Sequence, residues 1–112
     1  MTYDNALTAL ADPRRRAIFE SLREHQRTVA DIASLQPVSR PAVSQHLKVL
    51  ADAGLVVAVP RGTRRYYRVR REGLEALRRW IDGFWDDVLS NFAAHVERQM
   101  GGSDGGTDPQ DD

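Results

Sequence analysis

The chain has 112 residues, enough for one domain, and its 41% hydrophobic and 29% charged composition is that of an ordinary globular protein, not a disordered one. The absence of cysteine removes disulfides, thiolate metal sites and thiol nucleophiles, and no apolar run approaches the roughly 18 residues of a membrane span. Formal net charge is zero but unevenly spread: residues 1–79 hold 15 of the 16 basic residues and 8 of the 16 acidic ones, which leaves residues 80–112 acidic. Met1-Thr2-Tyr3-Asp4 does not open a signal peptide, so a cytoplasmic location without a membrane partner is expected.

A first helix is expected from Tyr3 to Ala11, with Tyr3, Leu7 and Leu10 on one face. Asp12-Pro13 reads as an N-cap followed by proline at the first helical position, opening a second helix that ends near Glu24 or His25. Its inward residues are Ala17, Ile18, Phe19 and Leu22. Thr28 and Asp31 form a capping-box variant before a third helix with Val29, Ile32, Ala33 and Leu35 on its apolar side. Gln36-Pro37-Val38 breaks that helix. Ser39 then caps a fourth, which runs to about Ala53, where Gly54 and Leu55 supply a left-handed C-cap and its hydrophobic partner. Leu55 to Val59 and Tyr66 to Val69 read as two short strands around a turn from Pro60 to Thr63. A long amphipathic helix follows from about Glu72 to Gln99. The expected fold is mainly α with a small β-hairpin, in the order α-α-α-α-β-β-α. Residues 1–100 form the domain, and 101–112 form a disordered, acidic, glycine-rich tail.

On the fourth helix Val43, Leu47 and Leu50 make one buried stripe, and Arg40, Pro41, Ser44, Gln45, Lys48 and Asp52 lie on the other side. An outward face of short, polar and basic residues in the first two turns is what a major-groove recognition helix needs, and an ordinary solvated helix face shares it. Arg61, Arg64, Arg65, Arg68, Arg70 and Arg71 crowd around one β-turn with Gly62 and Thr63 at its tip. Like charges on a two-stranded ribbon repel, so a compensating anion is expected, with partial neutralisation by Glu72, Glu75 or the acidic tail as the alternative. Arg14-Arg15-Arg16 opposes the dipole of the second helix. Either an external anion or pairing with Asp12, Glu20 or Asp31 accounts for it.

The stretch Ala9-Leu10-Ala11-Asp12-Pro13-Arg14-Arg15-Arg16-Ala17-Ile18 resembles the opening of ArsR-type winged-helix repressors. So do Val43-Ser44-Gln45-His46-Leu47-Lys48-Val49-Leu50, then Ala53-Gly54-Leu55-Val56, and the Arg-Gly-Thr-Arg-Arg-Tyr-Tyr wing from Arg61 to Tyr67. The resemblance spans about residues 5–98. It implies a winged helix-turn-helix homodimer on an inverted-repeat duplex operator, released by a small-molecule or protein inducer. It places Ser39, Arg40, Pro41, Ser44, Gln45 and Lys48 of the recognition helix and Arg61, Gly62, Thr63, Arg64, Arg65 and Arg68 of the wing on DNA. It also implies a subunit interface through the first and last helices. The last helix supports that interface by itself, since its apolar stripe is broader than one small core requires. The interface set is Leu7, Leu10, Trp80, Ile81, Phe84, Trp85, Val88 and Phe92, and an apolar ligand pocket near Trp80, Phe84 and Trp85 is compatible with it.

The metal-sensing branch of the family finds no ligands here. Val29-Ala30-Asp31-Ile32-Ala33 stands where paired cysteines would, and the last helix offers only His95 with Glu97. His46 reads as a packed core residue. Ser39, Ser44 and His46 are too local for a catalytic array, and no glycine-rich phosphate loop follows a strand, so neither an enzyme nor a cofactor is expected. The second function class is a winged-helix module whose basic surface binds an acidic protein partner.

Overall fold

The computed structural model describes residues 3–102. The elements run α1 (Tyr3–Ala11), α2 (Pro13–Glu20), α3 (Val29–Leu35), α4 (Arg40–Asp52), β1 (Val56–Arg61), β2 (Arg64–Val69) and α5 (Arg71–Gly102). The chain divides into two units, Met1–Arg78 and Arg79–Asp112, so the first turns of α5 belong to the first unit and the rest to the second.

Three helix starts follow their caps. Asp12 accepts from the backbone N–H of Arg14 at 2.8 Å and of Arg15 at 3.3 Å. Thr28 and Asp31 close a reciprocal capping box, both bonds at 3.1 Å, and the Ser39 hydroxyl accepts from Ala42 N–H at 3.3 Å. The end of α4 is equally local. Gly54 adopts φ +80°, and Leu55 N–H donates to the Leu50 carbonyl at 2.9 Å, closing a six-residue ring that a β-carbon at position 54 would strain.

The core of the first unit is Ile18, Ile32, Val43, Leu47, Leu50 and Leu55, each fully buried, joined by Ala6, Ala9, Leu22 and Val56. On α1 the inward side is therefore Ala6 and Ala9. Leu7 faces outward and Leu10 is only half-buried against the core. Leu35, expected inward, is exposed, because α3 ends there and its last turn lies beyond the Ile32 contact. His46 is half-buried instead of packed in the core.

Other boundaries also differ from the sequence expectation. Helix α2 stops at Glu20, not near His25: the ladder tightens, with Leu22 N–H on the Phe19 carbonyl and Arg23 N–H on the Glu20 carbonyl, both at 3.1 Å, and Arg27 Nε donates to the freed Ser21 carbonyl at 2.7 Å. Pro60 and Arg61 belong to β1, opposite Arg65 and Arg64, which leaves Gly62 and Thr63 as a two-residue turn. Proline is tolerated there because β1 is the edge strand: on the far side of β2, Arg27 and Tyr67 exchange backbone hydrogen bonds of 3.0 and 2.7 Å. Helix α5 continues through Gly102, so the expected tail does not begin at Gly101, and its remainder lies outside the described residues.

The three arginines after Asp12 divide in role. Arg15 Nε donates to the Ala9 carbonyl at 2.6 Å, and Arg16 Nη1 donates to the Leu10 carbonyl at 2.7 Å. Cations on the last carbonyls of a helix satisfy orphan acceptors and oppose its dipole favourably. Arg15 also lies 3.9 Å from the Asp12 carboxylate. Two of the three thus close α1, while Arg14 stays exposed.

Candidate nucleic-acid interface

Helix α4 buries Val43, Leu47 and Leu50, and that fixes its opposite face outward. Ser39, Arg40, Pro41, Ser44, Gln45 and Lys48 are all exposed. Lys48 Nζ sits 3.3 Å from Asp52 one turn on, an exposed pair that holds the ammonium only weakly.

The hairpin has two faces by register. Val56, Ala58, Pro60, Arg65, Tyr67 and Val69 share one; Val57, Val59, Arg61, Arg64, Tyr66 and Arg68 share the other. The first is anchored at its base by buried Val56 and by Tyr67 and Val69 packed on the core. The tip residues Arg61, Gly62, Thr63, Arg64 and Arg65 are exposed, as is Arg68, whose Nη1 donates to the Val69 carbonyl at 3.4 Å. Arg70 pairs with Glu72 at 3.6 Å, the one neutralising contact of the kind the sequence suggested for this hairpin among the described residues.

Between α3, α4 and the wing lies a cleft of about 530 Å³ lined by Thr28, Ala30, Asp31, Ser44, Arg64 and Arg65, with Val29 and Tyr67 behind them. It brings Ser44 of the outward face of α4 and the wing cations Arg64 and Arg65 to one opening. The α3 residues were not among the sequence-predicted contacts, since nothing in their spacing marks them as lining a cleft. Asp31 is held below the usual carboxylate range, first by the Thr28 backbone N–H and then by its hydroxyl, with Arg64 a smaller contribution. Asp12 is lowered likewise by the backbone N–H groups of Arg14 and Arg15.

Gln26 is a second residue that the sequence did not flag. With its carboxamide oxygen turned to the wing, it accepts from Arg61 Nη2 at 2.9 Å and Nη1 at 3.2 Å. The same guanidinium lies over the Tyr66 ring, 5.6 Å from its centroid.

In the second unit, α5 displays Ile81, Phe84, Trp85, Leu89 and Phe92 at 47–59% exposure and Trp80 and Val88 at 40%. Trp80 and Phe84 stack with centroids 6.0 Å apart. On α1, Leu7 is 41% exposed. Contiguous apolar exposure on this scale marks an interaction surface. The Gln99 carboxamide nitrogen donates to His95 Nε2 at 3.5 Å. Among the described residues no group of three or more His, Asp or Glu is placed to hold a metal ion, and no helix is long and apolar enough to cross a membrane.

The family model for bacterial regulatory proteins of the arsR family matches residues 12–57, from the N-cap of α2 into β1. The HTH-type transcriptional regulator Rv2034 of Mycobacterium tuberculosis is 49% identical over 96 residues, 86% of this chain and 90% of that protein. The HTH-type transcriptional repressor SmtB of the same species is 46% identical over 80% of this chain, which spans 58% of its length. Among solved structures, the homodimeric winged helix-turn-helix DNA-binding domain of a Mycobacterium bovis protein superposes with a TM-score of 0.62 at 31% identity, covering 80% of this chain and 82% of that one. Four helices, a two-stranded wing and a further helix in this order, with these relatives, are a DNA-binding regulator's architecture and not an enzyme's; the chain belongs to the ArsR family of bacterial transcriptional regulators.

Proposed function

We propose that the chain acts as a homodimeric repressor on an inverted-repeat operator in duplex DNA, with residues 1–100 as its DNA-binding and dimerisation domain. Helix α4 enters the major groove, where Ser44, Gln45 and Lys48 reach base edges, and Ser39, Arg40 and Pro41 lie at the backbone, with Arg40 on a phosphate. The wing from Arg61 to Arg65, with Arg68, faces the flanking backbone, and Arg64 and Arg65 at its tip meet the phosphates. Leu7 and Leu10 of α1 and the apolar face of α5, with Trp80, Ile81, Phe84, Trp85, Val88 and Phe92, are each covered by the partner subunit. A small-molecule or protein inducer, not a metal, lowers the affinity.

The observation that carries this reading is the single cleft shared by Ser44 of α4 and Arg64 and Arg65 of the wing. One residue of the polar α4 face and two exposed cations at one opening fit a groove flanked by phosphates. The homodimeric neighbour and the uncovered side of α5 support the assembly.

The test is titration of the protein into a labelled duplex carrying its own upstream region. A dimer contacting about 6–10 phosphates loses roughly 10³–10⁵ in affinity between 50 and 200 mM salt. Arg64→Ala with Arg65→Ala weakens binding to all sequences alike, whereas Gln45→Ala changes which sequence is preferred by about 1–3 kcal/mol. If both classes of variant behave alike, the assignment of helix to groove and wing to backbone is wrong.

A further inference from the structure

The wing hangs on the body of the first unit through the loop before α3. Arg27 pairs by backbone with Tyr67, adding one rung to the outer edge of β2, and its Nε ties the same residue to the Ser21 carbonyl at the end of α2. One residue earlier, Gln26 lies on the hairpin face that carries Tyr66 and Arg61, by the alternation of an antiparallel ladder. Its carboxamide crosses β2 to reach both terminal nitrogens of Arg61, and the guanidinium lies over the Tyr66 ring between them, 5.6 Å from the centroid. The three side chains thus span loop, β2 and β1 in one line. Gln26 and Tyr66 are half-buried, while Arg64 and Arg65 at the tip are exposed.

We propose that Gln26 and Tyr66 hold Arg61 as a clamp that fixes the angle of the wing, so that Arg61 is a positioning residue while Arg64 and Arg65 meet the phosphates. The inference refines the DNA-binding reading above and rests on it. A guanidinium suits the task because its charge sits over the ring while its fork donates two bonds to one oxygen. A lysine at 61 keeps the charge but has one nitrogen in place of the fork, so it cannot hold the Gln26 oxygen with two donors while lying over the ring. A phosphate contact has the opposite tolerance, since an ammonium serves a phosphate oxygen as a point charge.

The experiment compares Arg61→Lys, Arg61→Ala, Gln26→Ala and the double variant Gln26→Ala/Arg61→Ala with Arg64→Lys, by duplex affinity at fixed salt, with melting curves as the control for folding. Arg61→Lys, Arg61→Ala and Gln26→Ala are each expected to weaken binding by about fivefold, the double variant no further than either single, and Arg64→Lys to stay near the unsubstituted protein. Tyr66→Phe, which keeps the ring, leaves affinity unchanged, and Tyr66→Leu reproduces the loss. Wild-type affinity in Arg61→Lys together with a silent Gln26→Ala would make Arg61 an ordinary phosphate contact and overturn the clamp. Should the unsubstituted protein bind no duplex, the DNA reading falls, and the clamp is decided in the free protein by backbone heteronuclear NOE values over 61–65. A drop in Gln26→Ala and Arg61→Lys but not in Arg64→Lys supports it, and unchanged values overturn it.

Discussion

Replacing Gly73 by alanine sets two physical effects against each other, and the structure decides the sign. Helix propensity alone favours alanine by up to about 1 kcal/mol, because glycine loses more backbone entropy on entering a helix. A β-carbon at position 73, however, runs into the Gly54 carbonyl oxygen and stands 2.8 Å from the Gly54 carbonyl carbon and 3.4 Å from Leu55 Cα. All three are backbone atoms, and the turn they belong to has no slack. Gly54 is held at φ +80° by the closure of α4, and Leu55 is fully buried in the core. Overpacking against atoms that cannot rotate away costs about 1–3 kcal/mol, which exceeds the propensity gain. Gly73→Ala is therefore expected to be destabilising by about 1–2 kcal/mol, lowering the melting temperature by about 4–8 °C per kcal/mol for a domain of this size. Gly83→Ala is the matched control, since a β-carbon there meets nothing within 4 Å, and it should raise stability by about 0.5–1 kcal/mol. Both are read by thermal melting at one fixed protein concentration, because association shifts the midpoint. A melting temperature for Gly73→Ala at or above that of the unsubstituted protein would refute the close approach of α5 to the Gly54 turn.

Acid should weaken the fold through the two cap carboxylates. Asp12 and Asp31 are both held below the usual carboxylate range by backbone donors, so their contribution is complete at neutral pH and is lost as pH falls through about 4 and below; Asp12→Asn with Asp31→Asn should flatten the acid limb of a stability–pH curve. Phe84→Glu, placed on the apolar face of α5 at 59% exposure, is expected to give a monomer by sedimentation and to abolish operator binding. Persistence of the dimer would move the interface elsewhere. Zinc, cadmium, arsenite and thiol oxidants are expected to leave DNA affinity unchanged, and stoichiometric zinc binding that released DNA would contradict this.

The helix starts were legible because their causes are local. Asp12-Pro13, Thr28 with Asp31, and Ser39 each satisfy donors within three residues, and each cap is formed as read. So was the end of α4, where glycine and leucine follow the last turn. The features that escaped depend on longer reach. The end of α2 is closed by Arg27, and that of α1 by Arg15 and Arg16, each six residues from the carbonyl it serves. Periodicity grouped Tyr3, Leu7 and Leu10 on one face of α1, but that the contacts with α2 and α4 bury Ala6 and Ala9 needs the fold. The polar face of α4 could be read from its buried stripe, while the cleft and Gln26 arise only when α3, α4 and the wing meet in space.

The arginine content overstates the charge available to DNA, and this has a measurable consequence. Arg15, Arg16 and Arg27 spend their guanidinium groups on helix-end carbonyls, Arg70 faces Glu72, and Arg61 is engaged by Gln26 and Tyr66. Around the cleft, Lys48 is shared with Asp52 and Arg68 leans on the Val69 carbonyl. Arg64 and Arg65 line the opening and Arg40 lies one turn before Ser44 on α4; their side chains make no hydrogen bond or salt bridge among the described residues. Three such cations per subunit neutralise about six phosphates in a dimer, and each neutralised phosphate contributes about 0.9 to the slope of log affinity against log salt, so the expected slope is about −5. Counting every arginine of the wing and of the α2 start instead predicts a slope beyond about −10. Binding isotherms on one operator duplex at four salt concentrations separate the two. A slope near −10 would mean that arginines assigned here to helix ends and to the clamp let go of those partners and reach the backbone in the complex.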